Sequence, residues 1–191
     1  MAVNELNERS EEIEKLVKMA QKGDHDSFAK LYDIFIDPIY RYVFYRVKSV
    51  DAEDLVETVF LKVWENIKQY RPQKKMFSAW VFRIAHNLVV DYYRASKDGL
   101  VDELSIQLPD HDREHNPIKK TQDVLSKEVL KQAISKLKKQ YQDIIIYKFI
   151  NDLSNKELVD VFEKSEGSLR ILQFRALKAL KKELKNMRLE Y

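Results

Sequence analysis

The chain has 191 residues, room for one large or two small domains, of which 45% are apolar and 34% charged, with a net charge of +3. Without a single cysteine it can build neither a disulfide framework nor a thiolate metal site, and a reducing, cytoplasmic setting is the natural expectation. Three glycines and four prolines among many Lys, Glu and Leu predict an all-α protein.

The opening stretch MAVNELNERSEEIEKL is acidic and has no apolar run, so it does not read as a secretion signal. No apolar run approaches the roughly 20 residues that cross a bilayer, and no membrane insertion is expected. Ile13, Leu16, Val17 and Ala20 give Ser10–Lys22 a helical stripe, which Gly23 closes and after which Asp24 can cap the next helix. From Phe28 to Lys48, apolar residues including Leu31, Phe35, Ile39, Tyr42, Val43 and Val47 recur at helical spacing. Pro38 lies inside this run and predicts a kink or break after Ile36 or Asp37.

Asp51 is placed as the N-cap of a helix to Ile67, whose apolar face is Ala52, Val56, Val59, Phe60, Val63 and Trp64. The opposite face carries Asp54, Glu57, Thr58, Leu61 and Glu65. An exposed leucine is ordinary on any surface, but one ringed by carboxylates also suits docking against a basic partner helix.

Lys68–Met76 (KQYRPQKKM) is a basic loop with Tyr70 inside it, a solvated turn or a cradle for single-stranded nucleic acid. It leads into Phe77–Arg94, where Phe77, Val81, Ile84, Ala85, Leu88 and Tyr92 share one helix face. The other face holds Phe82, Arg83, His86, Asn87, Val90, Tyr93 and Arg94. Aromatics, guanidinium groups, an imidazole and an amide stack on bases, grip phosphates and bond base edges. A second buried face in a helix bundle would show the same pattern.

Residues 95–122 have no period and contain Asp98-Gly99, Pro109 and Asn116-Pro117, so they read as an acidic tether. Within them His111, Glu114 and His115 match the H-x-x-E-H spelling of some zinc peptidases. The flanking prolines and the missing apolar stripe deny that motif the rigid helix its chemistry needs, so no metal or other cofactor is expected. Beyond Asp123, Leu125, Val129, Ala133, Ile134 and Leu137, then Ile144, Ile145, Tyr147 and Phe149, give stripes interrupted around Lys138–Tyr141. Ser154 and Glu157 form an S-x-x-E capping box opening a helix Asn155–Phe162, and Ser165 caps a longer one to about Lys185. Two helices joined by so short a turn are a helix-turn-helix candidate. On the second, Leu169, Leu172, Ala176, Leu180 and Leu184 are the expected buried stripe. Arg170, Ile171, Phe174, Arg175, Lys178, Lys181 and Lys182 face outward, as insertion into a DNA major groove or a plain solvated hairpin would both allow.

The small net charge conceals a segregation. Residues 66–96 and 127–191 carry an excess of Lys and Arg, whereas 1–65 and 97–126 carry an excess of Asp and Glu. A protein gripping one polyanion at two places would be built this way. No nucleophile and base converge, and neither catalytic residues nor a small-molecule substrate is expected. A stand-alone helix-turn-helix regulator remains as an alternative, and a hydrolase built on His111 and His115 as a weaker one.

In this order the segments resemble bacterial RNA polymerase sigma factors of the compact ECF (extracytoplasmic function) type, over about residues 12–96 and 127–185. GDHDSFAKLYDIFIDPIYRYVFYRV resembles their first conserved region, and DAEDLVETVFLKVW the helix that docks on the polymerase β′ clamp helices. FSAWVFRIAHNLVVDYYR resembles the helix that engages the −10 promoter element, and residues 133–180 the −35-reading domain. The resemblance implies two small helical domains joined by a flexible linker: 1–96 for polymerase docking and −10 recognition, 97–126 as the tether, and 127–191 for the −35 element.

It implies polymerase contacts at Asp51, Asp54, Leu55, Glu57, Thr58, Leu61 and Glu65. For the −10 element it implies Tyr70, Arg71, Lys74, Lys75, Trp80, Phe82, Arg83, His86, Asn87, Tyr93 and Arg94. For the −35 element it implies Lys156, Ser165, Glu166, Ser168, Arg170, Ile171, Phe174, Arg175 and Lys178. The partners implied are core RNA polymerase, through its β′ clamp helices and β flap, and promoter DNA, with an anti-sigma factor as a further candidate. Three places depart from the family pattern. Glu57 stands where Gln is usual, Glu163 replaces the usual turn glycine, and Ile171 and Phe174 occupy outward positions that are commonly polar, where they could touch thymine methyls.

Overall fold

The computed structural model describes residues 2–97 and 127–189, so the tether and its His111–His115 motif lie outside the described residues. The N-terminal group has four helices: α1 (Ala2–Ala20), α2 (His25–Phe44), α3 (Ala52–Asn66) and α4 (Phe77–Lys97). The C-terminal group has α5 (127–135), α6 (Lys139–Ile145), α7 (Asn155–Phe162) and α8 (Glu166–Leu189), and among the described residues there is no strand.

Gly23, at φ +95°, takes the left-handed conformation that ends α1 and turns the chain into α2. Leu31, Phe35, Ile39, Tyr42 and Val43 then bury one side of α2. The predicted break at Pro38 does not occur, because α2 runs unbroken from His25 to Phe44. Proline forfeits one backbone hydrogen bond, but residues on both sides of it are locked into the core. Burial of Phe35 and Ile39, about 1.5–3 kcal/mol each, offsets most of that loss.

Val56, Val59, Phe60 and Val63 carry α3 against α2, as their spacing predicts. Trp64 is half-buried and packs on His25 and Phe28, with ring centroids 5.1 and 4.7 Å away. Asp51 precedes α3 but makes no side-chain capping bond. Its carboxylate instead accepts the Tyr92 hydroxyl at 2.6 Å, tying the entry of α3 to the end of α4, and burial with this contact pushes the Tyr92 phenol up to about 12.

The buried stripe of α4 differs from the predicted one. Phe77, Val81, Phe82, Ala85 and Val89 are buried, whereas Ile84 and Leu88 are only half-buried. The C-terminal group causes this rotation by packing on the Phe82 side. Tyr147 follows α6 in a π-helical turn (Ile146–Ile150), stacks parallel on Tyr42 at 4.9 Å and meets Phe82 edge-on at 5.2 Å. Beside this apolar centre Arg46 pairs with Asp143 of α6, both buried. Lys131 of α5 donates to Ser49 at 2.8 Å and lies over the Phe44 ring. The two groups therefore share one hydrophobic cluster.

Within the C-terminal group the predicted capping box is present: Ser154 Oγ accepts from the Glu157 amide, and the Glu157 carboxylate accepts from the Ser154 amide at 2.8 Å. Glu163 closes α7 in the left-handed conformation, φ 53°, which glycine adopts without strain. A side chain there costs roughly 1–2 kcal/mol. Ser165 then accepts the Ser168 amide at 3.4 Å and starts α8, whose Leu169 and Ala176 are buried.

Two stability predictions follow from these termini. Ser154→Ala leaves the first turn of α7 uncapped and should lower unfolding stability by about 1 kcal/mol in urea titrations. Glu163→Gly relieves the left-handed side chain and should raise it by about 1 kcal/mol in about 1 M salt, where charge contacts of the carboxylate are screened.

Candidate docking and nucleic-acid faces

On α3 the residues opposite the core form one ridge. Asp54, Glu57, Leu61 and Glu65 are exposed at steps of three and four, and Leu61 keeps 63% of its surface open to solvent. Asp51, Leu55 and Thr58 are half-buried at its edge: Leu55 packs against the core, and Thr58 Oγ1 donates to the Asp54 carbonyl at 2.9 Å. An apolar knob in a rim of carboxylates lets a cationic partner helix desolvate one leucine while its charges stay paired at the wet edge.

The face around α4 is built differently from its sequence pattern. Arg83, Asn87 and Arg94 are exposed, and Arg71 and Lys74 extend the cationic surface along the preceding loop. Tyr70, expected as a stacking platform, is buried instead. Its ring packs on Phe77 and Trp80, its hydroxyl donates to the Lys75 carbonyl at 2.8 Å, and burial raises its phenol to about 12. It shapes the loop from inside and cannot meet a base.

Phe82, also expected to contact DNA, is buried between Tyr42 and Tyr147. Tyr93 is half-buried and donates its hydroxyl to the Arg46 carbonyl. His86 is half-buried, with Nδ1 3.1 Å from the Tyr42 hydroxyl and 3.9 Å from Asp143, and burial lowers its pKa, favouring the neutral ring. Lys75 and Arg83 both reach one oxygen of Glu163, Arg83 at 2.8 Å. Those two cations hold the Glu163 carboxyl down at about 2.

A cleft of about 330 Å³ opens between α3 and α4. Trp80, Ile84, Asn87, Leu88 and Asp91 line it from α4, Lys62 and Asn66 from the end of α3, and Gln69 from the 3-10 turn that follows. An indole and two aliphatic side chains, three amides, one lysine and the Asp91 carboxylate offer a planar polar ligand stacking surface and edge contacts. Of these only Trp80 and Asn87 stand out in sequence. Ile84 and Leu88 sit on the face predicted to be core, and Lys62, Asn66 and Gln69 belong to α3 and the turn after it, so only the packing of α3 on α4 assembles them.

Every −35 candidate lies on an exposed surface: Lys156 on α7, Ser165 and Glu166 at the entry of α8, and Ser168, Arg170, Ile171, Phe174, Arg175 and Lys178 along it. Ile171 and Phe174 are 55% and 70% exposed. Arg175 and Lys178 continue into an open groove with Lys181, Lys182 and Lys185 beside Tyr141. A short capped helix, a tight turn and a long helix with a cationic outer face have the shape and charge of a major-groove reader. No group of His, Asp or Glu among the described residues could hold a metal ion, and no described helix is long and apolar enough to cross a membrane.

Comparison with known proteins reaches the same segments. Residues 31–98 match the family described as Sigma-70 region 2, and residues 127–180 match Sigma-70, region 4. The ECF RNA polymerase sigma factor BldN of Streptomyces coelicolor is 35% identical over 167 residues, covering 87% of this chain and 63% of that protein. The ECF RNA polymerase sigma factor SigW of Bacillus subtilis is 29% identical over 184 residues, 92% of this chain and 98% of that one. This chain thus spans less than two thirds of the first relative's length and nearly all of the second's.

Two solved structures share the fold. CnrH, in complex with the cytosolic domain of CnrY, superposes with a TM-score of 0.65 at 20% identity over 90% of this chain and 96% of that one. The sigma factor RpoE of Bartonella quintana, in complex with the anti-sigma factor NepR, gives 0.63 at 17% identity over 83% and 96%. With both sigma regions present in order, and relatives of the same type, the chain belongs to the sigma-70 family as an RNA polymerase sigma factor of the ECF type.

Proposed function

We propose that this chain binds core RNA polymerase and directs it to promoters, reading a −10 element with α4 and a −35 element with α8. The observation that carries the reading is that one chain displays three separate surfaces: an acid-rimmed leucine on α3, a cationic face with a base-sized cleft on α4, and a cationic helix-turn-helix. A stand-alone regulator would use only the third. It would leave residues 31–98, the Sigma-70 region 2 match, without a task.

The polymerase contact is the ridge Asp54, Glu57, Leu61 and Glu65, edged by Asp51, Leu55 and Thr58, against the β′ clamp helices. The C-terminal group contacts the β flap. The −10 strand is held by Arg71, Lys74, Lys75, Arg83, His86, Asn87, Tyr93 and Arg94, with an unpaired base against Trp80 in the cleft. Unstacking a base costs a few kcal/mol and stacking on an aromatic returns about 1–3. Capture alone therefore does not open the duplex, and the polymerase shares the cost.

In α8, Arg170, Arg175 and Lys178 engage phosphates and base edges and Ile171 and Phe174 meet thymine methyls, while Lys156 of α7 and Ser165, Glu166 and Ser168 around the start of α8 set the helix in the groove. The domains are 1–96 and 127–191, and 97–126 is the tether that lets them reach sites apart on one DNA. The factor acts in the cytoplasm as an initiation factor, not an enzyme, and an anti-sigma protein is a further partner.

The decisive experiment adds the purified chain to core polymerase and asks for promoter-specific transcripts. Leu61→Asp places a charge in the docking knob and should lower polymerase capture in a pull-down at least tenfold; unchanged capture would refute the docking surface. Arg83→Ala with Asn87→Ala should weaken binding of a single-stranded −10 oligonucleotide to the holoenzyme by roughly tenfold. Polymerase capture should stay intact, and a parallel loss of both would mean damage to the fold.

A further inference from the structure

The outward face of α8 carries two features that contacts to phosphate do not need. Gly167 stands in the first turn of the helix, in helical conformation, and beyond that turn no atom lies within 4 Å of where its Cβ would be. Neither crowding nor a left-handed backbone calls for glycine here, and alanine would suit the helix better. One and two turns further on, Ile171 and Phe174 stand open to water on the same side.

At 100° per residue Gly167, Ile171, Phe174 and Lys178 fall within about 60° of arc, with Arg170 and Arg175 flanking them on either side. The bare stretch of backbone and the apolar pair therefore lie on one line along the helix, edged by cations.

The charge of those edges sets the occupant. Two guanidinium groups and an ammonium beside an apolar pair match a polyanion that also offers apolar groups. On the edges of base pairs in a major groove, the C5 methyl of thymine is that group. Ile171 and Phe174 are three residues apart, about 4.5 Å along the helix axis. Successive bases on one strand are about 3.4 Å apart. Neighbouring methyls on one strand therefore meet neighbouring side chains.

We propose that Gly167, Ile171 and Phe174 form a methyl reader. The missing side chain at Gly167 lets α8 lie deep in the groove, and the apolar pair covers the C5 methyls of two adjacent thymines on one strand. The inference rests on the −35 reading of α8 given above. Neither side chain can bond a base edge, so the pair recognises the 5-methylpyrimidine itself and prefers 5-methylcytosine to cytosine at the same positions. Burial of each methyl is worth about fourfold in affinity, and the pair about tenfold or more.

The test uses the full chain bound to core polymerase. Sites are enriched from a duplex pool with a randomised segment, and affinities for the enriched site and its derivatives are compared by filter binding. The −35 part of that site should hold two adjacent thymines on one strand. Deoxyuridine in place of both should weaken binding roughly tenfold, and in the Ile171→Ser, Phe174→Ser variant that penalty should shrink below about twofold. With cytosines at the two positions, C5 methylation should tighten binding by roughly tenfold. Gly167→Ala should raise the urea midpoint of unfolding and yet weaken binding of the thymine site by roughly fivefold, an opposition that a merely structural glycine would not show.

Equal affinity for the thymine and deoxyuridine sites overturns the methyl reader, and so does parental affinity in Gly167→Ala. If Arg175→Ala still weakens duplex binding in those cases, the −35 reading stands and the methyl reader alone falls. Loss of polymerase capture in the Ile171→Ser, Phe174→Ser variant, with its deoxyuridine penalty unchanged, assigns the face to a polymerase subunit and overturns the proposal as well. An enriched pool without any −35 site, or full binding after Arg175→Ala, removes both readings.

Discussion

The buried pair of Arg46 and Asp143, framed by the stacked rings of Tyr42 and Tyr147, decides how the two helical groups meet. Two charges taken out of water cost several kcal/mol each, and their attraction returns that only when their geometry is held. Such a pair contributes less net stability than its proximity suggests. It does select one arrangement, because any other docking of α6 on α2 would bury one charge alone. Burial pushes the Asp143 carboxyl up, against the pull of the Arg46 guanidinium beside it. The aromatic stack supplies the apolar area and the ion pair supplies the register.

From this constraint follows the division of labour on α4. One side, Phe77, Val81, Ala85 and Val89, belongs to the N-terminal core. A second side, with Trp80, Ile84, Asn87 and Leu88, opens on the cleft against α3. The third, with Phe82, Arg83 and His86, meets the C-terminal group. A helix with three demands on its surface cannot show a simple two-faced pattern. This explains why its outward residues include large rings where a solvated helix would carry lysine and glutamate.

The same economy explains the polar residues at the seam. Tyr42 is buried with its hydroxyl shared between His86 and Asp143, so desolvation by burial and the nearby carboxylate raise its phenol above the ordinary range. Lys131 is lowered by burial while donating to Ser49. These groups are hydrogen-bonded across the seam, so their burial leaves them partnered.

Much was legible in the chain itself. Helical periodicity, the Ser154–Glu157 capping box and the stop at Gly23 are local, governed by backbone geometry and the nearest turn, and they appear where the residues place them. The acid-ringed Leu61 was equally plain, since one helix carries the whole ridge. Tertiary structure alone decided what required two elements at once. Pro38 stayed inside a continuous helix because the core holds both of its sides, and Tyr70 and Phe82 went inward because other rings covered them. Lys62, Asn66 and Gln69 joined Trp80 in a cleft, and Glu163 reached Lys75 and Arg83 across 88 and 80 residues of chain. A pattern read along one helix reports which residues share a face; which neighbour takes that face depends on long-range packing, where apolar area and paired charge outweigh local preference.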